Sequence, residues 1–157
     1  MQFQLGFVTL GYATKSATES QHTLTIANDD FAPTITQVNS TQPNGSYGSG
    51  IVPISIQFSQ TVNVTGTPSL KLETGATDRL ATYVSGSGTT TLIFNYAVQA
   101  GDASLDLDYT DTAALELSGG LIKSAADGLD ANLTLPAPGS SNSLGSNKQI
   151  VIDTIAP

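Results

Sequence analysis

Two stretches of strict alternation do most to limit what this chain can fold into. In residues 52–58, Val52, Ile54, Ile56 and Phe58 share one side, with Pro53, Ser55 and Gln57 on the other. In residues 90–98, Leu92, Phe94, Tyr96 and Val98 repeat the pattern. A period of two is that of an extended strand with one buried face, whereas a helix needs apolar residues three and four apart. Shorter apolar runs surround these two, at Ile35 and Val38, Val62 and Val64, Leu70 and Leu72, Leu80 to Val84, and Leu105, Leu107 and Tyr109. Weaker ones follow at Ile122, Leu133 and Leu135, with a last one at Ile150 and Ile152. Pro43-Asn44-Gly45-Ser46-Tyr47-Gly48 and Ser85-Gly86-Ser87-Gly88 are rich in residues that accept turn conformations. The one helix-like run, Thr112 to Leu117, is short and stopped by Gly119-Gly120. Roughly seven to nine short strands at about 8–12-residue spacing predict an all-β fold, an antiparallel β-sandwich of immunoglobulin-like type. A closed barrel is the alternative.

Composition narrows the function classes. Thirteen acids against five bases give a net charge of −8, which disfavours nucleic acid and anionic membrane surfaces. Charged residues make up only 11%, and there is no cysteine, so neither a disulfide framework nor a thiolate metal site is available. No run approaches the roughly 18 apolar residues of a membrane span, and Met1-Gln2-Phe3-Gln4-Leu5-Gly6 lacks the basic start of a signal peptide. Without cysteine, and with His22 as the only histidine, neither a Ser-His-Asp relay nor a zinc site can be assembled. Two carboxylates for glycoside hydrolysis are available by count. There is no Trp, however, and Tyr47, Tyr83, Tyr96 and Tyr109 fall mostly at core-facing or turn positions. The chain reads as a non-enzyme. An intramolecular crosslink through Lys71, Lys123 or Lys148 has no supporting pattern.

One segment occurs twice. Asp29-Asp30-Phe31-Ala32-Pro33 near the start matches Asp153-Thr154-Ile155-Ala156-Pro157 at the end, each after a β-rich apolar stretch. Aligned on Ala-Pro, Asp29 falls on Asp153 and Phe31 on Ile155. The two copies read as junctions between modules of a longer array. Ahead of the first, Phe3, Leu5 and Phe7 and then Thr23-Leu24-Thr25-Ile26 read as two strands, which alone would be marginal in water. The run Leu24-Thr25-Ile26-Ala27-Asn28-Asp29-Asp30 resembles the end of a Calx-beta domain, and the resemblance implies calcium binding by Asp29 and Asp30.

A second resemblance covers nearly all of residues 32–157. Phe58-Ser59-Gln60-Thr61-Val62-Asn63-Val64-Thr65-Gly66-Thr67-Pro68, Tyr96-Ala97-Val98-Gln99-Ala100-Gly101-Asp102, Leu133-Thr134-Leu135-Pro136 and Val151-Ile152-Asp153-Thr154-Ile155-Ala156-Pro157 are similar to a known repeat unit. That unit is the bacterial immunoglobulin-like tandem repeat of giant surface proteins and adhesins, including the cyanobacterial swimming-protein type. The resemblance implies a secreted, tandem β-sandwich module, often in calcium-dependent arrays. The expected organisation is then 1–30 as the C-terminal strands of a truncated Calx-beta-like module, 31–153 as the sandwich repeat, and 154–157 as the start of a linker.

The acids carry the remaining chemistry. Asp102, Asp106, Asp108, Asp111, Glu116, Asp127 and Asp130 make up more than half of the thirteen. Strand alternation would put Asp106 and Asp108 on one face, opposite Leu105, Leu107 and Tyr109. Neighbouring carboxylates repel, and calcium relieves that by taking about six to eight oxygens. The expected cation positions are Asp102, Asp106 and Asp108 within the module and Asp29, Asp30 and Asp153 at its junctions. A solvated strand face and Asp as a strand terminator are the bland readings of the same residues. Asp127-Gly128-Leu129-Asp130 lacks the full EF-hand pattern.

The function expected is a structural spacer of an extracellular or cell-surface adhesin, with neighbouring repeats as partners and calcium at the junctions. The alternative is a module that recognises glycan or a host protein through loops 43–50, 85–89 or 136–147.

Overall fold

In the computed structural model of the chain, the residues described are 31–155. The expected strands in 1–30, with Asp29, Asp30 and His22, lie outside them.

The described residues form β1 (Ile35–Ser40), β2 (Gly45–Tyr47), β3 (Ile51–Thr65), β4 (Ser69–Leu72), β5 (Arg79–Ser85), β6 (Thr89–Ala97), β7 (Ala103–Ser104), β8 (Leu115–Glu116), β9 (Leu121–Ser124), helix α1 (Leu144–Asn147) and β10 (Ile150–Asp153). The larger sheet runs β1-β3-β6-β5-β4-β8 with β9 also on β3, and the smaller runs β2-β10-β7. Together they make the all-β, sandwich-like fold that the alternation predicts.

The 15-residue β3 is the spine. Its alternation is read out in full: Val52, Ile54, Ile56 and Phe58 are buried, while Pro53, Ser55 and Gln57 are half-buried on the other face. β6 lies antiparallel beside it and buries Leu92, Phe94 and Tyr96. Val62 and Val64, expected in a separate strand, continue β3 across a register shift between Gln57 and Val62. Beyond that shift Val62 to Thr65 pair with β9, so β1 and β9 use successive parts of one strand. At the β5–β6 turn Gly86 has φ +113°, and a Cβ there would drive into the Thr91 carbonyl, so only glycine closes this hairpin. Tyr83 packs edge-on against Phe94, with ring centroids 5.8 Å apart.

The smaller sheet completes the core with Ile150 and Ile152. β10 runs antiparallel to β7 and parallel to β2, so the sandwich contains one parallel pair.

Three further expected features differ. Leu105, Leu107 and Tyr109 do not alternate in a strand: the chain bends at Leu105 and Asp106, leaving Leu105 88% exposed while Leu107 and Tyr109 are buried. The Leu107 amide is claimed by the Ile150 carbonyl and Tyr109 bridges to Leu72, which turns this segment into a wall of the core. Leu133 and Leu135 pack on the core without belonging to a named strand. The Gly/Ser-rich 136–147 stretch is a built cover. Leu144 is fully buried, Asn142 accepts the Val38 amide, and the Asn147 side chain donates to the Val38 carbonyl. Ser143 caps α1 by accepting from the Ser146 amide, at 3.1 Å.

Candidate functional site

The expected cation positions separate into three different environments. Asp102 is fully buried beneath the turn that follows β6. Its Oδ1 accepts from Arg79 Nε at 2.7 Å, and its Oδ2 accepts from the Tyr96 hydroxyl at 2.7 Å and the Gln99 amide at 2.9 Å. Burial alone would raise its carboxyl, but the Arg79 guanidinium, the Gln99 amide and the Tyr96 hydroxyl outweigh it and hold the group below the usual carboxylate range. Burial, then the Asp102 hydrogen bond and charge, push the Tyr96 hydroxyl well above its ordinary value. The cation that Asp102 meets is therefore Arg79. The Asp102 backbone carbonyl also accepts from the Thr154 hydroxyl at 2.8 Å, and that hydroxyl accepts from the Gly101 amide at 3.0 Å. The result is a latch between the end of β6, the start of β7 and the residue after β10.

Asp106 and Asp108 do come together, by a route other than shared strand orientation. Because the chain bends at Asp106, that residue stays at the surface with its carboxyl partly sheltered, while Asp108 turns inward. Asp108 accepts from the Tyr109 amide through Oδ1 and the Gly139 amide through Oδ2, each at 3.0 Å. Both side chains flank Gly145 of α1, where an added Cβ would lie 2.9 Å from Asp108 Oδ2 and 3.4 Å from Asp106 Oδ2. Partial burial, and then the charge on Asp108, raise Asp106 above the ordinary carboxylate range. The Asp106 side opens into a polar recess of about 240 Å³ that Asn44, Ser146, Asn147, Gln149 and the cationic Lys148 also line. This pair is the arrangement best suited to a hard cation. It supplies two carboxylates, and backbone carbonyls or water would have to complete the shell of about six to eight oxygens. Among the described residues no group of three or more acidic or histidine side chains converges.

Asp153 ends β10 in the open, and its Oδ1 accepts from the Ile155 amide at 3.1 Å, as a strand terminator does. Other acids have similar local partners. Asp111 accepts from the Ala113 amide, Asp127 from the Leu129 amide, and Asp130 pairs with Lys123.

Two features were not read from sequence. One is the pairing of Asp102 with Arg79, which the β5–β6 pairing brings together. The other is a polar concavity of about 500 Å³ on the outer face of the larger sheet, lined by Gln37, Asn39, Ser55, Gln57, Thr91 and Lys148, with no carboxylate among its lining residues. The even positions of β3 announced the core, and its odd positions, Ser55 and Gln57, were the available signal for this face.

No helix among the described residues is long and apolar enough to cross a membrane. Comparison with models of known protein families, with curated proteins and with solved structures finds no match.

Proposed function

We propose that this chain is a non-catalytic spacer repeat of a large secreted or cell-surface protein, an immunoglobulin-like module whose task is to hold its two ends apart. The observation that carries this reading is where the chain arrives and leaves. It arrives at Thr34, whose amide donates to Ser59 Oγ and whose carbonyl accepts the Ser59 amide. It leaves at Thr154, which is fastened to Gly101 and Asp102 at the end where Val98 bonds to Gly50. Gly50 and Ser59 bracket the first part of β3, so at about 3.3 Å per residue the ends are roughly 30 Å apart along the strand direction. The switch of the first strands between sheets, β1 against β3 and then β2 parallel to β10, further supports an immunoglobulin-like arrangement.

Because the chain has no cysteine, Thr34→Cys and Asp153→Cys give a uniquely labelled pair for spin-label distance measurement. The expected result is one narrow population near 30 Å. A short distance, or a broad distribution in the folded protein, would sink the spacer reading. Calcium enters this proposal at Asp106 and Asp108. Melting in excess EDTA and in millimolar calcium tests it, since ligand at 100 times Kd stabilises by about 2.7 kcal/mol. An unchanged Tm removes calcium from the proposal.

A second reading, a module recognising a neutral glycan, is favoured by the concavity on the outer sheet face. Gln37 donates to Gln57 at 2.8 Å and Asn147 donates to the Val38 carbonyl, which fixes these amides and leaves Gln57 Nε2 and Asn147 Oδ1 free of described partners. Chemical-shift titration with neutral oligosaccharides decides it: shifts confined to residues 37, 55, 57 and 91 support recognition, and none rejects it.

A further inference from the structure

An apolar groove of about 310 Å³ lies beside the outgoing end, lined by Ala103, Leu105, Val151, Ile152 and Ile155. Leu105 is 88% exposed and Ile155 72% exposed, values that neither residue needs for the core of this module. The incoming end carries its own exposed apolar residues, Phe31 at 66% and Leu129 at 39%. Phe31 is held there: Gln60 Nε2 donates to its carbonyl at 2.6 Å, Pro33 is buried, and the Pro33 carbonyl accepts the Asn132 amide. Leu129 sits in the same region, because its carbonyl accepts the Ser124 amide and the Ala125 amide bonds to Thr61.

The repeated segment connects the two ends. Ile155-Ala156-Pro157 stands where Phe31-Ala32-Pro33 stands, so in a following copy of the module Ile155 would occupy the seat that Phe31 occupies here. We infer that the groove around Leu105 and Ile155 is the docking surface for the incoming end of a following copy, with the counterparts of Gln60 and Leu129 closing over it. On this register Ile155-Ala156-Pro157 of one copy would serve as the Phe31-Ala32-Pro33 of the next. Exposed apolar surface then meets exposed apolar surface at a joint already stiffened by proline. The inference rests on the spacer reading and adds to it a specific, dry joint.

A two-copy chain, residues 1–157 followed directly by a second 34–157, tests it. Spin labels at Thr82→Cys of each copy report the distance between copies, Thr82 being exposed on β5. Docking predicts one narrow distance, and the double substitution Leu105→Ser with Ile155→Ser in the first copy should abolish it in favour of a broad distribution. The same substitutions in the single 157-residue chain should leave Tm unchanged, because both side chains are exposed. A broad distribution in the unsubstituted two-copy chain, or a narrow one that survives the double substitution, overturns the docking surface. If Tm of the substituted single chain falls instead, the groove belongs to the module's own fold and the inference likewise fails. The distance between residues 34 and 153 within a copy separates this from the spacer reading: intact with broad inter-copy distances, it leaves a flexible array of rigid spacers.

Discussion

Replacing Asp102 by Asn keeps the shape of the side chain and removes its charge, leaving Arg79 without its carboxylate partner. Asp102 is 1% exposed and Arg79 24% exposed as side chains, so the pair is largely sheltered from solvent. Breaking a buried pair by removing one member costs about 3–5 kcal/mol. Arg79 retains some contact with water, which places the cost at the lower limit. The Tyr96 hydroxyl and the Gln99 amide also lose a charged acceptor, and hydrogen bonds to charged groups contribute about 1.5–3 kcal/mol each, although these terms overlap with the pair. At about 3–4 °C per kcal/mol for a domain of this size, a loss of roughly 3 kcal/mol lowers Tm by about 10 °C at pH 7. The pH dependence supplies an independent check. The folded carboxyl is held below its usual range, so its contribution is present above about pH 4, the unfolded value, and is lost as pH falls through the folded one. The deficit of the Asn variant should therefore be largest at neutral pH and shrink on acidification. Adding Arg79→Met should recover part of the loss, as expected for coupled neighbours. Calorimetry of the four proteins between pH 2.5 and 7 gives the cycle. A Tm within about 2 °C of the parent at pH 7, under 1 kcal/mol on the same scale, would refute this account of the latch.

Leu144→Ala should destabilise by about 2–5 kcal/mol, because Leu144 is fully buried; denaturant unfolding checks it, and a change under about 0.5 kcal/mol would mean that the 136–147 cover is loosely attached. Gly86→Ala, with a Cβ directed into the Thr91 carbonyl at φ +113°, should destabilise by more than about 1 kcal/mol, where the same replacement at an ordinary φ would stabilise, read by the same unfolding curves. Asp106→Asn should raise Tm slightly in EDTA at pH 7, because burial and the Asp108 charge disfavour the ionised form. That gain should fade as pH falls toward the raised folded value and the native group becomes neutral. In calcium the sign should reverse if the pair holds the ion, which differential scanning fluorimetry resolves.

The legible parts of this fold are those where local sequence and tertiary burial agree. At β3 and β6 the alternating residues face the core without interruption, so the period of two was sufficient. At residues 105–109 the same period misled. A bend at Leu105 and Asp106, stabilised by pairing across to Ile150 and Leu72, reassigned which residues face inward. Nothing local distinguishes Leu105 from Leu107; only the position of β10 does. α1 was missed because four residues are too few to show a helical period, although Ser143 is a good N-cap. The proximity of Asp106 and Asp108 was legible from their spacing, but the glycine that gives them room, Gly145, comes from a distant part of the chain. Asp102 was read from sequence as a calcium position, and in the structure its carboxylate meets Arg79 as its positive partner. That Arg79 fills this role depends on the antiparallel pairing of β5 with β6, which the sequence of either strand does not specify.

The parallel pairing of β2 with β10 bears on how the protein would respond to tension. Both strands run toward the outgoing end, and the chain enters β2 from the opposite side through β1. Pulling the two termini apart therefore slides β2 and β10 past each other along their length, loading the hydrogen bonds around Ile150, Val151 and Ile152 simultaneously. A hairpin pulled at its open end would instead unzip one bond at a time. The Thr154 latch to Asp102 lies at the pulled end of β10, so tension reaches the sheared pair only through a fastened residue. The same short sheet that closes the core is thus the element on which a stretched chain would hang.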